Sequence, residues 1–215
     1  MLRAERTDEV LYVRASDPDP FVHVTHRAAP GFAAVAFEAA SLADLEALAK
    51  LESAAVDRPE GPGGSAVVQL TDPSGFRVEV VAGRAPAARI SVARPPLADS
   101  AFQTPRLNSV KRVAKGPSHL KRLGHCVLNA NDFRKSGARH KSRFGLITSN
   151  EISLDGMGPP LGAFLRRDRG PIPSDHHTLF LIGSGQPKFN HAAFEVADFD
   201  DLMCGSDWLR AKFRI

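Results

Sequence analysis

The sequence predicts an α+β protein built from tandem βαβββ units that pair into curved, barrel-like sheets, with the first and last units incomplete. Three observations carry this expectation: a strand, helix, strand order that recurs along the chain, an internal repeat, and a proline-rich stretch in the middle of the 215 residues. Val10-Leu11-Tyr12-Val13 and Phe21-Val22-His23-Val24 are short β-prone runs around the turn Ser16-Asp17-Pro18-Asp19-Pro20, the pattern of a hairpin. An apolar strand at Phe32–Phe37 follows. A helix capped by Ser41 comes next, with Leu42, Leu45, Leu48 and Ala49 on one stripe. Ala66–Leu70 and Phe76–Val81 then read as strands joined by Asp72-Pro73-Ser74-Gly75, a turn with Pro preset in φ and a permissive Gly.

Residues 84–118 contain Pro86, Pro95, Pro96, Pro105 and Pro117 without a sustained period of 2 or 3.6, and are expected to be a linker. Domains are accordingly expected at 1–83 and 119–215. In the second, Gly124–Leu128 is a strand and Asp132 caps a helix to about Phe144. Strands follow around Glu151-Ile152, Ala163–Leu165 and His177–Leu181. Phe189–Val196 opens a further copy, and Asp198 caps a helix reaching Leu209.

The repeat is explicit. Placing Phe32 on Phe189 aligns fourteen residues, and Phe32, Ala36, Phe37, Glu38, Ala40, Asp44 and Leu45 all match. A single unit of this kind cannot bury its sheet face alone, so pairing of units is the expected solution.

Composition narrows the function. The chain is 43% apolar, enough for a real core, with two cysteines and neither a disulfide framework nor a CxxC metal knuckle. No apolar run approaches the roughly eighteen residues of a membrane span, and the start lacks a secretory core, so a cytoplasmic location without membrane association is expected. The net charge of +4 is concentrated around Arg106, Lys111, Arg112, Lys115, Lys121 and Arg122. That stretch has no interleaved aromatics and no helix-turn-helix or zinc-finger pattern, which argues against nucleic acid as a partner.

The candidate chemistry comes from the repeats. Ala34 of one copy corresponds to His191 of the other, and His125 opens the preceding unit at the same strand position, 66 residues earlier. Pairing of the units would bring the two imidazoles side by side, a donor pair suited to Fe(II), Zn(II) and related ions.

Arg122-Leu123-Gly124-His125-Cys126-Val127-Leu128-Asn129, Asn131–Ser136, Arg143–Ser149, Ala163–Arg166, Asp175-His176-His177-Thr178-Leu179-Phe180-Leu181 and Phe189-Asn190-His191-Ala192-Ala193-Phe194-Glu195-Val196 together resemble the catalytic domain of type I extradiol ring-cleavage dioxygenases. These belong to the vicinal-oxygen-chelate, or glyoxalase/bleomycin-resistance/dioxygenase, superfamily. Residues 1–83 resemble their non-catalytic N-terminal domain. The resemblance implies Fe(II) held by His125 and His191, and His177 as the acid-base group. It further implies a catechol-type substrate cleaved with O2 in aromatic-compound catabolism; a homo-oligomer is compatible with it.

The same resemblance implies a third ligand, a Glu on the last strand of the final unit. Glu79 lies 45 residues after Ala34, so the equivalent carboxylate is expected about 45 residues after His191, near position 236 and past Ile215. Glu195 does not substitute, since four residues along a strand span roughly 13 Å. The first unit likewise is expected to lack its opening strand and helix, so that this chain is a weakly active or inactive truncated form. A non-catalytic small-molecule-binding or remnant protein of the superfamily is the alternative, and a glyoxalase-like isomerase a further one. His176 is expected on the face opposite His177. His23, His26, His119 and His140 are expected to be solvated or locally hydrogen-bonded, with Arg139-His140 standing where the family usually has an aromatic pair.

Overall fold

The computed structural model describes residues 2–92 and 114–213. In chain order the elements are β1 (Leu2–Arg6), β2 (Val10–Arg14), β3 (His23–His26), β4 (Val35–Glu38), α1 (Leu42–Glu52), β5 (Ala66–Thr71) and β6 (Arg77–Ala82). They continue with β7 (Leu120–Ala130), α2 (Phe133–Phe144), β8 (Leu146–Ile152), β9 (Gly162–Arg167), β10 (Leu179–Gly183), β11 (Lys188–Val196) and α3 (Phe199–Phe213). The strands form open sheets in the orders β1-β2-β3, β4-β6-β5 and β11-β7-β10-β9-β8, an α+β architecture. Of the expected linker, residues 93–113, including Arg106, Lys111 and Arg112, lie outside the described residues. By contacts the chain divides into one unit of Met1–His26, Pro86–Arg122 and Phe194–Ile215 and another of Arg27–Ala85 and Leu123–Ala193.

The second unit contains the earlier copy of the repeat and nearly all of the module that follows it. β7 pairs parallel with β10, β10 antiparallel with β9, and β9 antiparallel with β8, so β7, α2, β8, β9 and β10 make a complete βαβββ module. The earlier copy has the same order: β4 pairs parallel with β6 and β6 antiparallel with β5. Its remaining strand is reduced to a bridge from Asp57 to Val67 on β5. The repeat-equivalent rings of Phe32 and Phe189 stack on each other, 4.9 Å between centroids at 10°.

Local signals set the helix ends. Ser41 Oγ accepts from Asp44 N–H at 3.1 Å, and Asp132 Oδ1 accepts from Arg134 N–H and Lys135 N–H at 3.0 and 3.1 Å. Each satisfies N–H groups that a helix start leaves without partners. α2 ends at Gly145 with φ 64°, a left-handed conformation that glycine adopts without steric cost. On α1 the expected stripe holds for Leu45, Leu48 and Ala49, whereas Leu42 stays exposed. Glu52 at the end of α1 ties that helix to α2 by accepting from Arg139 at 2.6 Å and from Arg143. The Arg139 hydrogen bond is the main influence holding its carboxyl below the ordinary value, against the opposing effect of burial.

Leu128, Leu165, Leu179 and Leu181 are fully buried and share a core with Val35, Phe76 and Val78 of the earlier copy. Into this core runs a polar chain from the Asp72 turn. Asp72 Oδ1 accepts from Ser74 N–H and Phe76 N–H at 2.8 and 2.9 Å, and its Oδ2 accepts from Ser136 Oγ at 2.8 Å. With the Ser136 proton committed, Ser74 Oγ donates to Ser136 Oγ at 3.0 Å and accepts from Asn131 N–H at 3.1 Å. Asp72, Ser74 and Ser136 are buried and satisfied, so removing the Asp72 acceptor orphans three donors. Asp72→Ala is expected to cost about 3 kcal/mol or more, read as a lower urea midpoint with an unchanged slope.

His140 is locally hydrogen-bonded, as expected, but it is not solvated. It is fully buried, edge-on to Phe37 and Phe144 at 6.0 and 5.3 Å, in the place of an aromatic core ring. Its Nδ1–H donates to Ser136 O at 2.9 Å, the only local hydrogen bond it makes, and Nε2 is buried without a partner. α2 carries Arg139 and Lys141 on either side, so the sequence pattern reads as a polar face, while the helix rotation turns position 140 inward.

In the first unit β1, β2 and β3 form an antiparallel meander. β1 was not expected, because Leu2–Arg6 lacks both alternation and β-branched residues. The expected hairpin is present, displaced toward His26, with Val13 opposite His23. α3 is capped as expected by Asp198 Oδ1, which accepts from Asp201 N–H at 2.9 Å, and continues to Phe213. Asp201 in turn accepts from His119 N–H and Nδ1, and Glu195 pairs with Lys121 and with Arg122 at 2.7 Å. Glu195 is thus committed to cations of its own unit, with a carboxyl pulled below its ordinary value first by the Lys121 hydrogen bond. His23 bonds Thr25 Oγ1 at 3.1 Å on the surface, and His26 is exposed.

Candidate functional site

The neighbouring strands β7 and β11 bring the two repeat-equivalent histidines together. Nε2 of His125 lies 3.4 Å from Nε2 of His191, with ring centroids 5.5 Å apart at 73°. His177 joins them, its ring centroid 4.2 Å from that of His125. All three sequence-selected histidines therefore occupy one place.

The sheet register explains why only this copy carries the cluster. Cys126 on β7 pairs with Leu179 on β10, and Val35 on β4 pairs with Val78 on β6. One residue before Cys126 and Val35 stand His125 and Ala34, and two before Leu179 and Val78 stand His177 and Phe76. The imidazole pair of one copy is an alanine and a core phenylalanine in the other.

His177 precedes β10 and does not begin it, so the alternation that would have turned His176 to the opposite face does not operate. The two rings instead meet, Nδ1 to Nδ1 at 3.1 Å. Phe164 on β9 is a platform that the sequence reading passed over as a strand residue. It stacks on Phe180 at 3.9 Å and contacts both His176 and His177, at 5.2 and 4.9 Å. The signal for it was its place opposite Phe180 in an antiparallel pair, which only the register reveals. A shallow cavity of about 410 Å³ opens alongside, lined in part by Thr148, Ser149, Arg166, Asp175 and His176. Beyond His191 runs a second feature not expected from sequence: its Nδ1 lies 2.9 Å from Asn190 Oδ1, and Asn190 Nδ2 donates to Asn129 Oδ1 at 3.0 Å.

The surroundings of His125 and His177 disfavour their protonated forms. Burial holds His125 below its ordinary value, His191 adds to the depression, and Asp175 opposes it. His177 is depressed by burial first, then by His125, His176 and His191, again against Asp175. Burial also depresses His140, with the Ser136 carbonyl opposing. All three bind protons more weakly folded than unfolded, so the stability they contribute is full above the unfolded value near 6.5 and is lost as pH falls through the lower folded values. The urea midpoint is expected to drop over that window, and His140→Phe is expected to remove part of the drop.

Among the described residues no group of three or more His, Cys, Asp or Glu is placed to hold a metal ion. No helix among them is long and apolar enough to cross a membrane.

No protein-family model matches the chain, and no curated protein matches it. Solved structures do. The Mn(II)-bound glyoxalase from Novosphingobium aromaticivorans is similar with a TM-score of 0.75 and 20% identity, over 98% of this chain and 62% of that one. An extradiol ring-cleaving dioxygenase from B. fuscum gives 0.70 and 19% over 97% and 54%. Homoprotocatechuate 2,3-dioxygenase from Arthrobacter globiformis gives 0.65 and 22% over 97% and 60%. The likeness shows the fold, that of the vicinal-oxygen-chelate proteins, and the chain spans a little over half the length of these neighbours.

Proposed function

We propose that the chain is a catalytic-type portion of an Fe(II)-dependent extradiol dioxygenase that cleaves a catechol-type aromatic with O2. The observation that supports this reading most is the meeting of His125 and His191 at 3.4 Å between Nε2 atoms, with His177 beside them. Two imidazole nitrogens that face each other at this spacing could act as a donor pair toward one ion, and imidazole suits Fe(II). Bound there, Fe(II) would supply joint coordination of the catechol oxygens and O2 and the exchange of electrons between them.

The chain's own residues have separate tasks. His125 and His191 would hold the ion through their Nε2 atoms. His177, kept neutral by burial and its imidazole neighbours, takes the catechol hydroxyl proton at a ring nitrogen and returns it later. Phe164 limits how that ring can tilt. In this reading residues 1–83 belong to a non-catalytic domain, 84–118 to a linker and 119–215 to the catalytic-type domain, in a cytoplasmic protein.

Two imidazoles alone leave the ion's charge uncompensated, which favours a second reading, a non-catalytic small-molecule-binding protein of the same fold. Loading with ferrous iron without oxygen, then adding a panel of catechols in air, tests both. Oxygen uptake with a coloured ring-cleavage product supports the dioxygenase reading. Catechol binding with no oxygen uptake by the iron-loaded protein supports the binding protein.

A further inference from the structure

We infer that Asn190, backed by Asn129, is a positioning residue that fixes the tautomer of His191 so that its Nε2 lone pair faces His125; this rests on the metal-centre reading above. An asparagine side chain has one acceptor oxygen and one donor nitrogen. Asn190 Nδ2 is spent on Asn129 Oδ1 at 3.0 Å, which leaves Oδ1 to face His191 Nδ1 at 2.9 Å. An acceptor there requires Nδ1 to carry the proton. The opposite nitrogen, Nε2, is then bare, and it is the atom 3.4 Å from Nε2 of His125.

The choice matters because neutral histidine in water prefers the other tautomer, with the proton on Nε2. Left to itself, the ring would present N–H where a metal bond is needed. Metal-bound histidines ordinarily donate their second N–H to a fixed acceptor, which sets both tautomer and ring orientation. Here that acceptor is a side-chain amide held across the β7–β11 strand pair, and the cross-strand bond to Asn129 keeps the amide from turning its nitrogen toward the ring. Both Asn190 and His191 are exposed on β11, so a change at position 190 leaves the core intact.

The full chain, labelled with ¹⁵N histidine and without metal, reports the tautomer directly by long-range ¹H–¹⁵N correlation at mildly alkaline pH. His191→Ala identifies the signals. The expected result is Nδ1–H for His191 in the parent, Nε2–H in Asn190→Ala, and Nδ1–H retained in Asn190→Asp, whose carboxylate still accepts. Co(II) binding, followed by its visible absorption, should weaken about 10- to 100-fold in Asn190→Ala and be preserved in Asn190→Asp. Nε2–H in the parent, or an unchanged tautomer in Asn190→Ala, overturns the inference even if Co(II) binds. A tautomer that switches as expected in a parent that binds no Co(II) upholds it while removing the metal centre.

Discussion

Replacing His191 with alanine is expected to abolish retention of ferrous iron after anaerobic loading and desalting, with affinity lowered by at least about 100-fold. The parent has two converging imidazole donors, and the variant has one. A single imidazole holds an ion no better than any exposed histidine, because the gain in a chelate comes from a second donor already held in place. His125→Ala should match it, and the double variant should be no worse than either, since two residues that act as one unit are not additive. The fold should survive, as His191 is exposed on β11 and neither ring belongs to the apolar core. Metal analysis against protein concentration decides the matter. Parent-level iron in His191→Ala would place the ion elsewhere and remove the metal centre described above.

His177→Ala is expected to keep the iron of the parent while slowing catechol-dependent oxygen uptake by roughly 10²- to 10⁴-fold, the contribution of a positioned acid-base group. The pH profile gives an independent sign. His177 acts as a base when neutral, and burial with its imidazole neighbours holds its pKa below 6.5. The rate of the parent should therefore stay level down through the ordinary histidine range and fall only when pH passes below the depressed value. That acid limb should vanish in His177→Ala. Equal rates for variant and parent would exclude His177 from the chemistry. Loss of iron together with rate would make it a ligand.

The sequence by itself determined the α+β class, the caps at Ser41, Asp132 and Asp198, and the repeat that makes Ala34, His125 and His191 equivalent. These are local or periodic properties: a cap needs only its own first turn, and a repeat is visible wherever two stretches keep the same residues. The meeting of His125 and His191 followed from the repeat, because equivalent strand positions meet when copies pair. The tertiary structure alone decided the rest. His140 reads as a helix-surface histidine until the rotation of α2 turns it into the core between Phe37 and Phe144. His176 reads as pointing away from His177 until β10 begins two residues later than its sequence pattern implies. Phe164 and the pair Asn190 and Asn129 carry no signal in sequence. Their partners are 16 and 61 residues distant, and only strand register brings them into hydrogen-bond or stacking range. What depends on a residue and its near neighbours is written along the chain, whereas what depends on which strands lie side by side exists only once the sheet has formed.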